Sequence, residues 1–252
     1  MGNIFGTDSN VIFNDISNGD RSEIDNDPIT EKKKLIFIEG NVSCGKSTLI
    51  NNLKGLGYTV YEEPVDRWLN EYKNDAGVNS LELFYGDMKA NAFKFEMLVM
   101  RTRWEKIKEA LSHDSKLIFI ERSLLTDVNT FALNLRESGL METLDWKLYM
   151  ECFHDKMEDI EHLFQECEIS YLYLKTDPEV CYTRKFERKR VEEDSVPLEY
   201  FKALGEKHDN WLVSETHRIK HKGKEYPVCT VDGNKSVDDV INSVVAAISE
   251  LY

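Results

Sequence analysis

The chain has 252 residues, which is enough for one α/β domain with a sizeable hydrophobic core. Its formal net charge of -14 argues against a nucleic-acid polymer as partner, because proteins that bind polyanions are normally basic. No apolar run is long enough to cross a bilayer, so no membrane partner is expected. The five cysteines are scattered and form no CxxC pair, which indicates reduced thiols and a cytoplasmic protein.

The order of the predicted elements indicates an α/β fold. Residues 1–32 are rich in Asn, Asp, Ser and Gly, which predicts a flexible acidic and polar tail ahead of a folded domain at 33–252. Short apolar runs predict five strands, at 35–38, 58–61, 116–120, 169–174 and 226–231. Helical patterns lie at 47–53, 81–111, 124–135, 144–164 and 237–251, and after Pro178. This alternation predicts a five-stranded parallel sheet with helices on both faces.

A glycine-rich loop follows the first predicted strand. Four residues lie between Gly40 and Gly45, and Lys46 and Ser47 come next. Glycine lets the backbone curl and turn its N–H groups inward, and the following helix presents its positive dipole end to the same point. Lys46 adds a cation, and the Ser47 hydroxyl suits Mg²⁺. The spacing predicts a nucleoside triphosphate-binding loop of Gly40, Asn41, Val42, Ser43, Cys44, Gly45, Lys46, Ser47 and Thr48.

Two further strand ends carry candidate catalytic residues. The second strand ends in Glu62, Glu63 and Pro64, and a carboxylate there could take a proton from a substrate hydroxyl. The third ends in Glu121 and Arg122, an acid for the Mg²⁺ and a cation for a transferring phosphoryl group. The alternative for the second strand is a solvated strand end, and the alternative for Glu121 and Arg122 is a simple surface ion pair.

A basic run follows the fourth strand. Arg184 and Arg188 are four residues apart and share a helical face, and Arg190 follows. Beside a phosphate loop, these arginines are typical of a flap that closes over ATP and excludes water. The alternative is a solvated helix face.

Together, these motifs resemble the deoxyribonucleoside kinase family, which includes deoxycytidine, deoxyguanosine and mitochondrial thymidine kinases. The resemblance runs from about Lys34 to the C-terminus. It rests on the segments 40–48, 63–68, 121–123, 184–193, 196–200 and 231–234. It implies a P-loop kinase fold with an arginine-rich lid over a deoxynucleoside kinase domain at 33–252. It also implies transfer of the ATP γ-phosphate to the 5′-hydroxyl of a deoxynucleoside, with Mg²⁺, in nucleotide salvage. Relatives form homodimers through helices that flank the sheet.

The resemblance also implies roles for individual residues. Glu63 would be the general base, Arg122 would steady the hydroxyl and the phosphoryl group, and Glu121 would hold Mg²⁺ with Ser47. Tyr85 and Glu193 would hold the sugar 3′-hydroxyl. The base would lie against Trp68, Phe95 and Phe131. The lid would be formed by Arg184, Arg188 and Arg190. The adenine of ATP would lie against Asp232, Gly233 and Asn234.

The base-reading positions depart from the family pattern. Relatives carry Phe-Gln where this chain has Phe95 and Glu96, whereas Arg103 and Asp127 match the polar pair of the deoxycytidine and deoxyguanosine kinases. An ionised glutamate only accepts hydrogen bonds, which suits the ring N–H of guanine better than the ring acceptors of cytosine and adenine. We therefore expect a purine preference, deoxyguanosine ahead of deoxyadenosine, with deoxycytidine possible. A raised pKa of Glu96 would remove the basis of this expectation.

Other functions fit the sequence less well. A nucleoside monophosphate kinase, such as a thymidylate kinase, would share the loop and the arginine lid. It would need cations for the acceptor's phosphate, whereas Glu63 and Glu193 are acids. A GTPase-like switch would need an Asn-Lys-x-Asp signature, which the chain lacks. A non-enzymatic ATP-binding module would not need the set of acid, base and lid residues.

Overall fold

The computed structural model describes residues 32–213 and 215–251. The predicted tail, apart from residue 32, lies outside the described residues. Within the described ranges, none of the helices has the length and apolar character that a bilayer span requires.

A mostly parallel sheet forms the centre of the domain. Its strands are β1 (Lys33–Glu39), β2 (Thr59–Tyr61), β3 (Leu117–Glu121), β4 (Cys167–Lys175), β5 (Arg218–His221) and β6 (Lys224–Asp232). They lie in the order β2-β3-β1-β4-β6-β5, and all neighbouring pairs are parallel except β5 with β6. The predicted α/β class is confirmed, but the sheet has six described strands rather than five.

The additional strand β5 forms an antiparallel hairpin with β6. Its sequence is polar and only Ile219 is buried, so it lacks the apolar run that marked the other strands. The signal lay in the turn, where Lys222 and Gly223 both have positive φ, of 46° and 78°. Two consecutive residues of this kind form the tight turn that matches the twist of a hairpin.

Ten α-helices cover the sheet within the described ranges. They are α1 (Lys46–Gly55), α2 (Val65–Asn70), α3 (Ser80–Gly86), α4 (Met88–Ser112), α5 (Leu124–Asn129), α6 (Phe131–Glu137), α7 (Thr143–Gln165), α8 (Pro178–Arg188), α9 (Leu198–Leu212) and α10 (Val237–Leu251). A 3₁₀ turn spans Val191–Glu193. The helices α2 and α9 were not predicted.

Two predicted helices are each divided in the structure. The stretch 81–111 breaks at Asp87, whose carboxylate accepts a hydrogen bond from the Ala90 N–H at 3.0 Å and so caps the start of α4. The stretch 124–135 breaks at Thr130, whose backbone has φ -132° and ψ -80°. In both cases the apolar spacing continues across the break, which is why periodicity alone predicted single helices.

Alternate residues of β1 bury themselves on opposite faces of the sheet. Leu35 and Phe37 pack on the face covered by α4 and α7, whereas Ile36 and Ile38 pack on the face covered by α1 and α10. All four are at most 1% exposed. A parallel sheet buried on both faces explains the continuous apolar run. Its strands align their carboxyl ends at one edge, which is where the loop 40–48 and the residues Glu63 and Glu121 follow.

Candidate active site

The glycine-rich loop is shaped by close contacts that only glycine permits. Gly40 has φ 151°, and a Cβ there would lie 2.7 Å from Cys44 Sγ and 2.8 Å from the Leu174 carbonyl oxygen. Gly45, which precedes α1, has φ 110°. Asn41 anchors the loop to α9, because its Nδ2 donates to the Phe201 carbonyl oxygen at 2.8 Å. The loop therefore forms a fixed backbone cradle at the start of α1.

Lys46 is buried beside this cradle with no carboxylate partner among the described residues. Its Nζ donates to the carbonyl oxygens of Gly40 at 3.2 Å and Asn41 at 2.9 Å. These contacts orient the ammonium group without cancelling its charge. A buried cation, inward backbone N–H groups and a helix N-terminus together favour an anion such as a polyphosphate.

A cavity of about 470 Å³ begins at this loop and extends to the polar side chains of α4. The structure brings most of the predicted site residues to its wall. They are Val42, Ser43, Cys44, Gly45, Lys46, Ser47, Thr48, Glu63, Trp68, Tyr85, Phe95, Glu96, Arg103, Glu121, Arg122, Asp127, Phe131, Arg184, Arg188, Arg190, Glu193 and Gly233. The predicted residues Gly40, Asn41, Asp232 and Asn234 do not line the cavity.

Glu63 lies among three cations. Its carboxylate accepts a hydrogen bond from Arg103, and its Oε1 is 3.4 Å from Arg122 Nε. Burial alone would raise the pKa of Glu63, but Arg122, Arg103 and Lys46 together lower it to about 2. The carboxylate is therefore ionised throughout the neutral range. Its position is fixed further by Glu121, which accepts a hydrogen bond from the Glu63 backbone N–H at 3.2 Å.

Arg122 occupies an unusual backbone conformation at the end of β3. Its φ is 65°, a region that non-glycine residues rarely adopt and that costs on the order of 1 kcal/mol. The guanidinium carbon lies 4.7 Å from the centroid of the Phe131 ring. Its buried NH1 has no hydrogen-bond partner among the described residues. The strained turn therefore aims a donor at the cavity.

Glu39, which sequence reasoning missed, supports this turn. It is fully buried at the end of β1 and accepts hydrogen bonds from the Ser123 backbone N–H at 2.9 Å and from Thr126 Oγ1 at 2.8 Å. Burial raises the pKa of Glu39, and the positive charge of Arg122 opposes that rise. The available signal was an acidic residue at the end of an apolar strand, directly before the loop.

Aromatic rings form the walls of the far end of the cavity. The rings of Phe84 and Phe95 stack with centroids 4.5 Å apart, and Trp68 meets Phe95 edge-on at 5.6 Å. Trp68 is fixed because its Nε1 donates to Thr102 Oγ1 at 2.9 Å. Phe131 lies on the side of Arg122. Such a slot accommodates a flat ring.

Polar side chains lie beyond this aromatic slot. Arg103 is 2% exposed and donates to both Asp127 and Glu63. Asp127 Oδ1 and Glu96 Oε2 are buried, and neither has a hydrogen-bond partner among the described residues. Burial, and then the charge of Asp127, raise the pKa of Glu96 well above its ordinary value. The purine preference assumed an ionised Glu96, and this rise in pKa weakens that assumption.

The predicted lid arginines have different partners. Arg184 NH1 donates to the carbonyl oxygens of Cys44 at 3.1 Å and Gly233 at 3.0 Å, so it ties the loop to the end of β6. Arg190 NH1 donates to Glu193 Oε1 at 2.9 Å, and Arg188 NH1 lies 3.8 Å from the same oxygen. Glu193 itself is 2% exposed. Two arginines thus converge on one buried carboxylate at the cavity wall.

The segment after β6 is held against the end of β4. The Gly233 N–H donates to the Lys175 carbonyl oxygen at 2.7 Å, and Asn234 Oδ1 accepts from the Asp177 N–H at 3.0 Å. A Cβ on Gly233 would lie 2.0 Å from Thr176 Oγ1, so the backbone approaches β4 closely. Asp232 Oδ1 accepts from the Asn234 N–H at 3.0 Å. The polar side chains here stabilise the segment, while Gly233 reaches the cavity.

Several further residues of the cavity wall were not predicted. Phe84 was read only as part of a helical apolar stripe, and Tyr200, which meets Tyr85 edge-on at 6.5 Å, only as part of a motif. Lys235 also lies at the cavity wall. Phe84 is 2% exposed, like a core residue. Its helical spacing in the sequence is also that of a core residue, so the sequence did not mark it as part of the site.

Comparison with known proteins identifies the family. The family model for deoxynucleoside kinases matches residues 36–252. The chain belongs to the deoxynucleoside kinase family. The kinase is 33% identical over 250 residues to the probable deoxycytidine kinase of fowlpox virus, covering 96% of this chain and 100% of the viral protein. It is 34% identical over 242 residues to human deoxycytidine kinase, covering 86% of this chain and 90% of the human protein. It is 31% identical over 202 residues to the mitochondrial thymidine kinase 2 of Macaca fascicularis, covering 79% of this chain and 68% of the macaque protein.

The match confirms the resemblance, the P-loop kinase fold and the enzymatic character of the chain. The kinase is a transferase that phosphorylates a nucleoside hydroxyl, and its family implies ATP as the phosphate donor.

Proposed function

We propose that the kinase transfers the γ-phosphate of ATP to the 5′-hydroxyl of a deoxynucleoside in nucleotide salvage. The observation that carries the proposal is the position of Glu63. Its ionised carboxylate lies in the same cavity as the phosphate loop, between Arg103 and Arg122. A hydroxyl beside this carboxylate has a proton acceptor, and a phosphoryl group beside Lys46 and Arg122 has two cations.

The reaction needs positioning and charge neutralisation more than covalent chemistry. The 5′-oxygen forms a bond to the γ-phosphorus while the bond from that phosphorus to the ADP oxygen breaks. The hydroxyl proton passes to Glu63, and ADP leaves. Because the pKa of Glu63 is about 2, the carboxylate takes the proton late, as the attacking oxygen becomes acidic. Lys46 and the unpartnered NH1 of Arg122 stabilise the charge on the phosphoryl oxygens.

Magnesium fits the donor set at the phosphate end. The Ser47 hydroxyl and the Glu121 carboxylate both line the cavity, and oxygen atoms are the ligands that Mg²⁺ prefers. One or two such protein ligands suffice, because nucleotide phosphates supply others. When bound, Mg²⁺ would neutralise phosphate charge.

Sugar and lid roles follow from the carboxylate of Glu193. We assign the 3′-hydroxyl to Glu193 and Tyr85, which line the cavity together. Arg188 and Arg190, which hold Glu193, would close over the phosphates with Arg184. Gly233, between Asp232 and Asn234, would lie against the adenine of ATP.

For the base, we propose cytosine first and adenine second. The relatives whose names state a deoxycytidine kinase support cytosine. The buried Asp127 Oδ1 is a free acceptor suited to an exocyclic amino group, which cytosine and adenine both have. Neutral Glu96 can donate to their ring nitrogen and accept from the same amino group. The purine preference, with deoxyguanosine ahead of deoxyadenosine, remains the competing proposal and applies to an ionised Glu96.

A nucleoside monophosphate kinase remains the alternative, but the charges favour an uncharged acceptor. Both terminal nitrogens of Arg103 are engaged by Glu63 and Asp127. Arg188 and Arg190 are directed at Glu193. A second phosphate at the acceptor end would have to displace these carboxylates.

Three broader features complete the proposal. Family relationship supports a homodimer through helices that flank the sheet. No disulfide joins any of the five cysteines, all of which lie in the described residues, and this supports a cytoplasmic location. The kinase domain is proposed to span residues 33–252.

A steady-state assay tests the function. Purified kinase is given Mg-ATP with deoxycytidine, deoxyadenosine, deoxyguanosine, thymidine or dTMP. We expect phosphorylation of deoxycytidine and deoxyadenosine at neutral pH. Activity on dTMP alone, or on none of the five, would overturn the proposal. Light scattering of the same sample tests the dimer, which a monomer alone would contradict.

A further inference from the structure

One carboxyl group in this part of the cavity is left without a cation. The charges of Arg122, Arg103 and Lys46 all act on Glu63, and Arg103 also holds Asp127, whereas Glu96 has no such partner among the described residues. Arg103 donates to Glu63 and Asp127, and Arg122 Nε lies 3.4 Å from Glu63. Among the described residues, Glu96 has no cation within ion-pair distance. Two of the three carboxylates are therefore neutralised, and Glu96 is the unpaired one.

Glu96 is also largely shielded from water, and one of its two carboxylate oxygens lacks a hydrogen-bond partner within the described ranges. It is 2% exposed, and its Oε2 has no hydrogen-bond partner among the described residues. The side chain nevertheless lines the cavity, so a ligand bound there would lie against it. An unpaired carboxylate in such a place is costly, whereas the neutral acid is tolerated.

Groups from each neighbouring element act on Glu96. Asp127 of α5 and Glu63 after β2 disfavour its negative charge, and Arg103 of its own helix favours it. Tyr149 of α7 and Tyr200 of α9 also interact electrostatically with Glu96, and burial keeps both phenols neutral. Burial raises the pKa of Asp127 too, but Arg103 opposes that rise. Glu96 is therefore the last of the three carboxyl groups to ionise.

The two protonation states of Glu96 present different hydrogen-bonding patterns. The neutral acid offers one O–H donor and one carbonyl acceptor, as a glutamine side chain offers an N–H donor and an acceptor. That pattern complements the ring nitrogen and amino group of cytosine or adenine. The carboxylate offers only acceptors, which complement the adjacent ring N–H and amino donors of guanine and repel the ring acceptor of cytosine.

We propose that Glu96 selects the base through its own protonation: the neutral acid favours deoxycytidine, and the carboxylate favours deoxyguanosine. The inference rests on the proposed function and adds a pH-dependent preference to it. The same side chain thus produces either of the base preferences considered above, depending on the pH.

The test is competition between deoxycytidine and deoxyguanosine for wild-type kinase, from about pH 6 to about pH 9. We expect the ratio of kcat/KM, deoxycytidine over deoxyguanosine, to fall by at least about tenfold, since ionisation replaces a hydrogen bond by an unsatisfied buried acceptor. A constant ratio, or one that rises with pH, overturns the proposal.

Two variants assign the effect to Glu96. In Glu96→Gln the side chain cannot titrate, so the ratio should change with pH only as far as the nucleosides themselves titrate. In Glu105→Gln, a control on the same helix whose carboxylate pairs with Arg67 and Arg101, the pH dependence should remain. If the ratio in Glu96→Gln falls as steeply as in wild type, the titrating group is another one and the proposal is wrong. Titration of the nucleosides themselves would appear equally in all three proteins.

A binding measurement separates this inference from the proposed function. Calorimetric affinities of wild-type kinase for deoxycytidine and deoxyguanosine, at the same pH values, need no turnover. If neither nucleoside is phosphorylated but the affinity ratio changes with pH, the proposed function fails and Glu96 still selects the base. If both are phosphorylated at a constant ratio, the function stands and the inference fails. If Glu96→Gln does not fold, infrared spectroscopy of the wild type at neutral pH replaces it. The proposal requires the band of a neutral carboxylic acid, and its absence contradicts the proposal.

Discussion

Glu63 and Asp127 accept hydrogen bonds from the two terminal nitrogens of a single guanidinium, that of Arg103. Glu63 follows β2 and is the proposed proton acceptor, whereas Asp127 is on α5 at the base end. Arg103, in the middle of α4, therefore connects the reacting end of the acceptor with the end that is recognised. We therefore expect a change at Asp127 to affect the position of Glu63 through the side chain of Arg103.

Removal of this guanidinium should destabilise the fold. In Arg103→Met, two buried carboxylates lose their cation, so we expect the free energy of unfolding at neutral pH to fall by about 3–5 kcal/mol. Urea denaturation measures the change. Arg101→Met is the control on the same helix, because Arg101 is exposed, and there we expect a change below about 0.5 kcal/mol. Equal losses in the two variants would show that the buried pairs contribute nothing specific.

Glu63→Gln should reduce turnover far more than binding. The amide keeps the size of the side chain but does not accept a proton, so we expect kcat to fall by about 10²–10⁴-fold with a small change in KM. Steady-state kinetics with the preferred deoxynucleoside measures both. Glu62→Gln is the matched control, since Glu62 is exposed and pairs with Lys54. A kcat that stays within threefold, roughly the scatter of such context effects, would exclude Glu63 as the general base.

The low pKa of Glu63 also predicts acid sensitivity of the fold. Its pKa is lowered from 4.5 to about 2, so its contribution to stability is present above pH 4.5 and is lost as the pH falls toward 2. Urea denaturation across that window should show stability falling more steeply in wild type than in Glu63→Gln. Parallel curves would mean that Glu63 has an ordinary pKa.

Sequence predicted the elements whose signal is local. The loop 40–48 was recognisable because its glycine spacing is set by backbone geometry, and β1, β3 and β4 because burial on both faces demands apolar runs. The hairpin strand β5 was not predicted because its residues are mostly polar. The break at Asp87 escaped because apolar spacing runs through it, although an aspartate after a glycine is a helix-start signal.

The sequence predicted which residues belong to the candidate site, but it did not predict their protonation states. Motif residues such as Glu63 and Arg122 reach one cavity, as expected from strand ends that share an edge, and Glu193 reaches it from the 3₁₀ turn after α8. The protonation of Glu96 depends on which cation reaches which carboxylate across three elements, and one sequence does not contain that information. Glu39 escaped for a similar reason, because its partners Ser123 and Thr126 meet it only in the folded sheet.

Glu193 should determine discrimination for the 3′-hydroxyl. Glu193→Gln replaces a buried carboxylate that Arg190 holds in place, so its acceptor strength and position both change. We expect the preference for a deoxynucleoside over the corresponding 2′,3′-dideoxynucleoside, measured as a kcat/KM ratio, to fall about tenfold. Glu192→Gln is the neighbouring control, because Glu192 accepts from Asn79 instead. An unchanged ratio in Glu193→Gln would place the 3′-hydroxyl elsewhere.

Gly40→Ala should abolish tight ATP binding while the fold persists. The new Cβ would meet Cys44 Sγ at 2.7 Å and the Leu174 carbonyl at 2.8 Å, and the φ of 151° disfavours a side chain in any case. The loop must then shift, and its backbone N–H groups leave the positions that phosphate needs. We expect ATP affinity, measured by calorimetry, to fall at least about tenfold.

Gly55→Ala is the matched control for that experiment. Gly55 ends α1, the same helix that begins in the loop, and a Cβ there meets nothing within 4 Å. Alanine reduces the freedom of the unfolded chain at a compatible site, so we expect unchanged ATP affinity and a stability gain of about 0.4–1 kcal/mol. If Gly40→Ala binds ATP as tightly as Gly55→Ala, the loop tolerates a side chain. In that case the backbone cradle is not what holds the phosphates.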